Sequence, residues 1–449
     1  MYAENVGDGF NIVVEILKMK KLILSITLYL FAFSVYAQSW DSVGTGINNL
    51  VLALASYNGS LYAGGQFYLA GEDTANNIAE WNGTSWSALS TGTGNGGYVS
   101  SLTVYNGDMY VGGGFYLAGG VSVDNIAKWN GTNFSSIGGL SSIVRALAVH
   151  NGSLYVGGSF GLAGGNSASR VAKWDGTTWS ALGSGIYSGN LSTVHSLASY
   201  NDELYASGYF ATAGGAPANN IAKWNGTSWS VVGTGLNSPA FALCVYNGEL
   251  YAGGNFTTAG DNPANYIAKW DGISWSPVGS GMNNSISKLC IFNNELYAGG
   301  GFTVAGGISA NNIAKWDGTN WSAIGGGMDS TVGALGIHDS ALYAGGLFTH
   351  AGDNPANHIA KWNPLGIGIL ESVNENEVGI YPNPATTEIT ITGYTTAYLK
   401  LCNTLGQTVA EANKSNKLYV GNLPQGLYVL QVFDEKGEVV KTEKVIVGK

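Results

Sequence analysis

The sequence predicts an all-β protein made of a sevenfold repeat and a smaller β unit at the C-terminus. Three observations predict it. The phrase Leu-Tyr-Ala-Gly-Gly, or a close variant, recurs seven times, with its tyrosines at Tyr62, Tyr110, Tyr155, Tyr205, Tyr251, Tyr297 and Tyr343. Each copy also holds four short β-patterned runs separated by turn dipeptides such as Asn58-Gly59 and Asn82-Gly83. Finally, the last copy stops at Asn363-Pro364, and the strand it lacks is found at the other end, where Trp40-Asp41-Ser42-Val43-Gly44 matches Trp229-Ser230-Val231-Val232-Gly233. Four strands per repeat of about 40–50 residues is the signature of a β-propeller blade. The expectation is a seven-bladed β-propeller over residues 38–363, closed by its N-terminal strand so that no sheet edge is left free.

The elements follow in order within one repeat. Val51–Tyr57 is strand a. Asn58-Gly59 turns the chain in two residues, because both positions accept positive φ. Ser60–Phe67 is strand b, and 68–75 is a longer loop. Asn76–Trp81 is strand c, Asn82-Gly83 is a second two-residue turn, and Thr84–Ser90 is strand d. The first hairpin sets Ala55 opposite Tyr62. The same position in other copies holds Thr103, Ala148, Ala198, Cys244, Cys290 and Gly336, so a large residue always faces a smaller one. The second hairpin, read the same way, sets Trp81 opposite Thr84 and makes Trp81 and Trp86 diagonal neighbours on one face. Doublets such as Gly64-Gly65 are expected where backbones of adjacent blades approach closely.

Composition agrees with a folded, exported chain. Of 449 residues, 45% are hydrophobic and 11% charged, the reverse of a disordered balance. The net charge of −10 includes no basic patch, which excludes nucleic acid as a partner. Residues 1–37 read as a signal peptide. Lys18, Lys20 and Lys21 precede the apolar run Leu22–Phe33, and Ala37 marks cleavage before Gln38. Met19 is a plausible true start. The apolar run is too short for a membrane span, so the mature chain is expected to have none.

Residues 364–377 read as a polar linker, and 378–449 as a small immunoglobulin-like β-sandwich with alternating runs such as Glu388–Thr392. Its Tyr381-Pro382-Asn383-Pro384 opening, Leu405-Gly406-Gln407 and Pro424-Gln425-Gly426-Leu427-Tyr428 closely resemble the C-terminal sorting domain of the type IX secretion system of Gram-negative bacteria. That resemblance implies Sec export to the periplasm, then passage through the type IX machinery to the medium or the outer cell surface. The repeats, through the glycine doublet and the Trp opening strand d, resemble kelch and galactose-oxidase-like propellers. They depart from the kelch pattern at Trp81 and Trp129, where kelch repeats usually carry Tyr.

Chemistry is hard to find. Cys244 and Cys290 read as small buried side chains and Cys402 lies in the C-terminal unit, so no disulfide is expected. The histidines form no ligand cluster, and nothing matches a copper site. Loops 259–263 and 351–355 offer one carboxylate each, too few for calcium. Asp175, Asp271 and Asp317 serve turns. No nucleophile motif or phosphate loop occurs, and neither cofactor nor metal is expected. The residue early in strand a differs between copies (Leu52, Ser100, Arg145, His195, Phe241, Ser287, Gly333), as does the first residue after strand b. Loops on a rigid scaffold carry binding. Arg145, His195, Tyr209, Phe241 and Asn255 are therefore the candidate ligand site, near the channel mouth. The expected function is recognition of an extracellular glycan or protein, without catalysis. A polysaccharide-active enzyme with its site at the same mouth and a structural surface-layer role stay open as alternatives.

Overall fold

The computed structural model describes residues 38–94, 96–187, 189, 191–363, 379–392, 398–403, 406–433 and 439–448. The signal-peptide and linker readings, at 1–37 and 364–377, fall outside them. The chain divides into two units, Met1–Ile367 and Gly368–Lys449. Every regular element among the described residues is a strand.

The first unit contains seven four-stranded antiparallel sheets among its described residues, here sheets 1 to 7 in chain order. Their leading strands are Val51–Tyr57, Tyr98–Tyr105, Val144–His150, Thr193–Tyr200, Ala240–Tyr246, Ile286–Phe292 and Val332–His338. Each leading strand is a terminal strand of its sheet and packs beside the next one along the chain. Val332–His338 packs beside Val51–Tyr57.

The first hairpin has the expected register. Tyr57 pairs with Ser60 and Ala55 with Tyr62. Asn58 and Gly59 take φ of 48° and 80°, the left-handed pair that a two-residue turn requires. Thr103, Ala148, Ala198, Cys244, Cys290 and Gly336 likewise face the repeat tyrosines.

The second hairpin differs from expectation. Trp81 pairs directly with Trp86, and Ala79 with Ala88, so the connection has four residues instead of two. The reason is the Asn82 side chain. Its Oδ1 accepts hydrogen bonds from the Thr84 and Ser85 amides, both at 2.9 Å, and the Asn82 amide donates to the Ser85 carbonyl. An Asx turn thus competes with the tighter backbone turn. The two indoles end side by side across the strands, 5.4 Å between centroids with their planes tilted by 47°. The same paired aromatics recur, for example Trp224 with Trp229 and Trp316 with Trp321.

Packing between sheets explains the first glycine of each doublet, and the backbone of the same hairpin explains the second, so the close approach is side chain to backbone between sheets and backbone to backbone only within one. A Cβ on Gly64 would lie 2.4 Å from Val99 of sheet 2, and one on Gly65 would lie 2.0 Å from the Leu50 carbonyl oxygen. The first glycine of each doublet therefore admits a β-branched side chain from the following sheet. Gly112 admits Val144, Gly157 admits Val194, Gly253 admits Ile286 and Gly299 admits Val332. Sheet 4 carries Ser207 there, and its neighbour shrinks in compensation to Ala240, whose carbonyl accepts the Ser207 hydroxyl at 3.2 Å. Gly345 of sheet 7 admits Val51 of sheet 1.

Sheet 7 is completed from the other end of the unit. Ser39–Ser42 pairs antiparallel with Ile359–Asn363, with Trp40 opposite Trp362. Trp40 is 1% exposed, its ring sits 4.9 Å from that of Trp362, and Asn354 Nδ2 donates to its carbonyl at 2.7 Å.

In the second unit, a three-stranded sheet (Gly379–Tyr381, Glu388–Thr392, Lys417–Tyr419) and a four-stranded sheet (Tyr398–Cys402, Thr408–Ala412, Gly426–Phe433, Val439–Val447) bury one shared core. Ile389, Leu399, Leu430 and Val445 are fully buried in it.

Candidate functional site

Every leading strand carries one β-bulge just after its first buried hydrophobic residue. The register skips Leu52, Ser100, Arg145, His195, Phe241, Ser287 and Gly333. A bulge leaves its extra residue unpaired and re-aims the side chain. The variable column seen in the sequence is therefore the bulge column.

Three of the five candidate residues meet there. Arg145, His195 and Phe241 stand on the consecutive sheets 3, 4 and 5, and all are partly buried. The His195 ring meets the Phe241 ring edge-on, with centroids 5.0 Å apart and planes at 73°. Arg145 lies close enough for its charge to act on His195. The other two flank this row. Tyr209, 48% exposed, pairs with Thr193 at the end of the second strand of sheet 4. Asn255 is exposed, and its amide donates to the Pro239 carbonyl at 2.9 Å. Neither makes a hydrogen bond or ring contact with the row among the described residues.

The electrostatics of the row are unusual for an acidic chain. Arg145 Nε is buried without a hydrogen-bond partner. Burial, reinforced by the Arg145 charge, pushes the His195 imidazole down to about 4. Sequence reasoning missed Lys288. It stands one residue after the bulge of sheet 6, where the other sheets hold Ala53, Ser101, Ala146, Ser196, Ala242 and Ala334. Burial lowers its ammonium below the usual range. The signal was legible, since one lysine stands in a column of small residues.

The His195 shift has a thermodynamic consequence. The unfolded imidazole titrates near 6.5 and the folded one near 4. Between those values the unfolded state binds more protons, so stability falls as pH falls from about 6.5 to 4. Replacing His195→Phe is expected to flatten that part of the profile, as read from urea midpoints across the window. An unchanged slope would contradict the shift.

The remaining sequence candidates serve structure. His150 Nδ1 bonds the Ser199 hydroxyl at 2.8 Å, and its ring packs on Tyr155 in the place that Tyr57 takes in sheet 1. His338 bonds the Ser56 hydroxyl in the same manner. Loops 259–263 and 351–355 are tight hairpins, with Ala259 paired to Asn262 and Ala351 to Asn354. Cys244 and Cys290 are free thiols, pushed up by burial to about 12 and about 11. Among the described residues no group of three or more His, Cys, Asp or Glu side chains is placed to hold a metal, and no helix is long and apolar enough to cross a membrane.

In the second unit, the motif residues tie the first strand to the last. Asn383 donates from Nδ2 to the Lys444 carbonyl and accepts at Oδ1 from the Ile446 amide, both at 2.8 Å. Tyr381 ends the first strand, and Pro382 and Pro384 flank Asn383 on the exposed connection. Gly406, at φ 76°, turns the chain by donating to the Asn403 carbonyl. Gly426 opens the long strand, Leu427 is 45% exposed, and the buried Tyr428 hydroxyl donates to the Pro424 carbonyl at 2.8 Å.

Comparison with known proteins separates the two units. No curated protein sequence matches the chain. Among solved structures, PorZ, described as a bacterial surface component of the type-IX secretion system of Porphyromonas gingivalis, aligns at 15% identity and TM-score 0.43, covering 88% of this chain and 59% of its own. The extracellular domain of the hybrid two-component system BT4673 from B. thetaiotaomicron aligns at 12% identity and TM-score 0.49, covering 92% of this chain and 58% of its own. The WD40 β-propeller domain of Doa1 aligns at 9% identity and TM-score 0.47, covering 72% and 96%. The chain thus spans about three fifths of the first two. The family model described as "Secretion system C-terminal sorting domain" matches residues 379–448, the two-sheet unit fastened by Asn383. Those residues are a secretion-system C-terminal sorting domain, which marks the chain as one destined for secretion or the cell surface.

Proposed function

We propose that this chain is a cargo of the type IX secretion system of a Gram-negative bacterium, delivering a seven-bladed, kelch-like β-propeller that binds a glycan or a protein outside the cell. The sorting domain at 379–448 carries the export half of this reading. The ring reading is supported by two facts: the leading strands neighbour one another in cyclic order, and Ser39–Ser42 completes sheet 7. The C-terminal unit then plays the immunoglobulin-like sorting module, engaging the secretion machinery and leaving the ring in the medium or attached to the surface.

The binding half rests on the row Arg145–His195–Phe241, with Tyr209 and Asn255 beside it. Seven bulges on a rigid scaffold carry six different residue types, a design in which recognition varies while packing does not. The purified protein is expected to retain a component of extracellular glycan or surface-protein extracts saturably and unchanged, and alanine at the five positions is expected to abolish retention. Cleaved or oxidised product in the same mixtures would overturn the binding reading in favour of catalysis at that site.

Export has its own test. Removal of 379–448 is expected to leave the chain inside the cell envelope, as read by immunoblots of medium, surface-shaved and periplasmic fractions. Undiminished appearance outside would refute the route.

A further inference from the structure

We propose that the ligand of the first unit is anionic, a carboxylate- or sulfate-bearing saccharide held at the inner edges of the leading strands by Arg145 and Lys288 on opposite sides of the ring. The inference rests on the ring reading above and deepens it by naming the ligand's chemistry.

Charge distribution is the first observation. Residues 38–363 hold more acids than bases, yet the seven leading strands contain Arg145, Lys288 and the histidines His150, His195 and His338, and no Asp or Glu at all. The acids on the adjoining second strands are at their far end and already engaged. Asp108 pairs with Lys128, Glu203 with Lys223, Glu249 with Lys269 and Glu295 with Lys315.

The second observation is the absence of partners. No ion pair or hydrogen bond involves the side chain of Arg145 or Lys288 among the described residues, and Arg145 Nε is buried. A partly buried cation without an acceptor is costly, and folded proteins rarely keep one unless something outside the chain completes it.

The third is direction. Ser196 occupies in sheet 4 the column that Lys288 occupies in sheet 6, and its hydroxyl accepts from the Leu243 amide on the open edge of the next leading strand, at 3.0 Å. Ser100, in the Arg145 column, donates to the Val144 carbonyl on the next such edge. These columns reach the inward edges of the ring, where sheets 3 and 6 lie across from one another. The His195–Phe241 pair supplies an apolar wall between them, suited to a sugar face.

The test uses the purified chain, an oligosaccharide of uronic acids, a sulfated oligosaccharide and the neutral counterpart of equal length, in calorimetric titrations. Arg145→Ser and Lys288→Ala are suitable variants, because other sheets already hold Ser and Ala in those columns. One acidic probe is expected to bind, the preferred arm telling carboxylate from sulfate. Each variant is expected to weaken it about thirtyfold or more, as for loss of one charge from a buried pair, and added salt is expected to weaken it further. Thermal midpoints of the variants are expected to be no lower than the parent's. If neutral and acidic probes bind alike, or if either variant binds the acidic probe unchanged, the anion inference falls while the binding reading stands. If neither acidic probe binds, the inference falls as well, and the unbiased extract screen decides separately whether the protein binds anything.

Discussion

Trp40→Ala is expected to destabilise the first unit more than any other single truncation outside a glycine doublet. Trp40 is buried, packs against the tilted ring of Trp362 and is held through its carbonyl by Asn354. Replacing a buried tryptophan by alanine costs about 3–5 kcal/mol. In a domain of this size that lowers the thermal midpoint by about 10 °C. The location adds to the loss, because Trp40 belongs to a strand joined to sheet 7 by pairing alone. Weakening it exposes the edge of Ile359–Asn363, whereas Trp229→Ala in sheet 4 leaves its strand covalently tethered on both sides. Thermal unfolding followed by near-ultraviolet dichroism, with amide exchange at 359–363, tests the difference. Equal midpoints and equal exchange for the two variants would show that the N-terminal strand contributes only its own contacts.

The second large effect is a compensation between Ser207 and Ala240. Elsewhere in the first unit a glycine faces Val or Ile of the neighbouring sheet, with room for no Cβ; at this one interface Ser207 faces Ala240. Gly157→Ser, placed against Val194 at 2.5 Å, is expected to cost about 3 kcal/mol, the upper end for overpacking. Ala240→Val alone, pressed onto Ser207, is expected to cost about 2 kcal/mol. The pair Ser207→Gly with Ala240→Val reproduces the arrangement of the other interfaces and is expected to recover most of that loss, a coupling of about 2 kcal/mol in a double-mutant cycle. Urea midpoints of the four proteins measure it. Additive costs would mean that the two positions do not share one packing site.

Much of the fold could be read because the repeat turns each position into a column. The Asn58-Gly59 turn fixed the first hairpin, since Asn-Gly permits few geometries and the small residue opposite Tyr62 checks the register. The second hairpin misled because the same dipeptide at Asn82-Gly83 is followed by Thr84-Ser85, whose amides the Asn82 carboxamide captures. A dipeptide rule sees backbone preference and not the side chain that outcompetes it. The candidate row could be picked by variability, but the bulge that leaves the column unpaired depends on a register slip between strands, which a single strand does not display. Lys288 escaped because it falls one residue past the variable column that singled out the row, although it is the one lysine in a column of small residues. The sorting segment was the most legible part through its resemblance to a known family at Tyr381–Pro384 and Pro424–Tyr428, where Asn383 and Tyr428 hydrogen-bond the backbone.

The strand Ser39–Ser42 also works as a test of completeness. It is made first and finds its partner only when Ile359–Asn363 has been made and delivered. A chain broken anywhere between them leaves Trp40 exposed and the edge of sheet 7 bare, an invitation to proteases and to aggregation. For a protein destined for secretion or the cell surface, joining the first strand of this unit to its last means that only a whole first unit is sealed, and fragments of it mark themselves for removal.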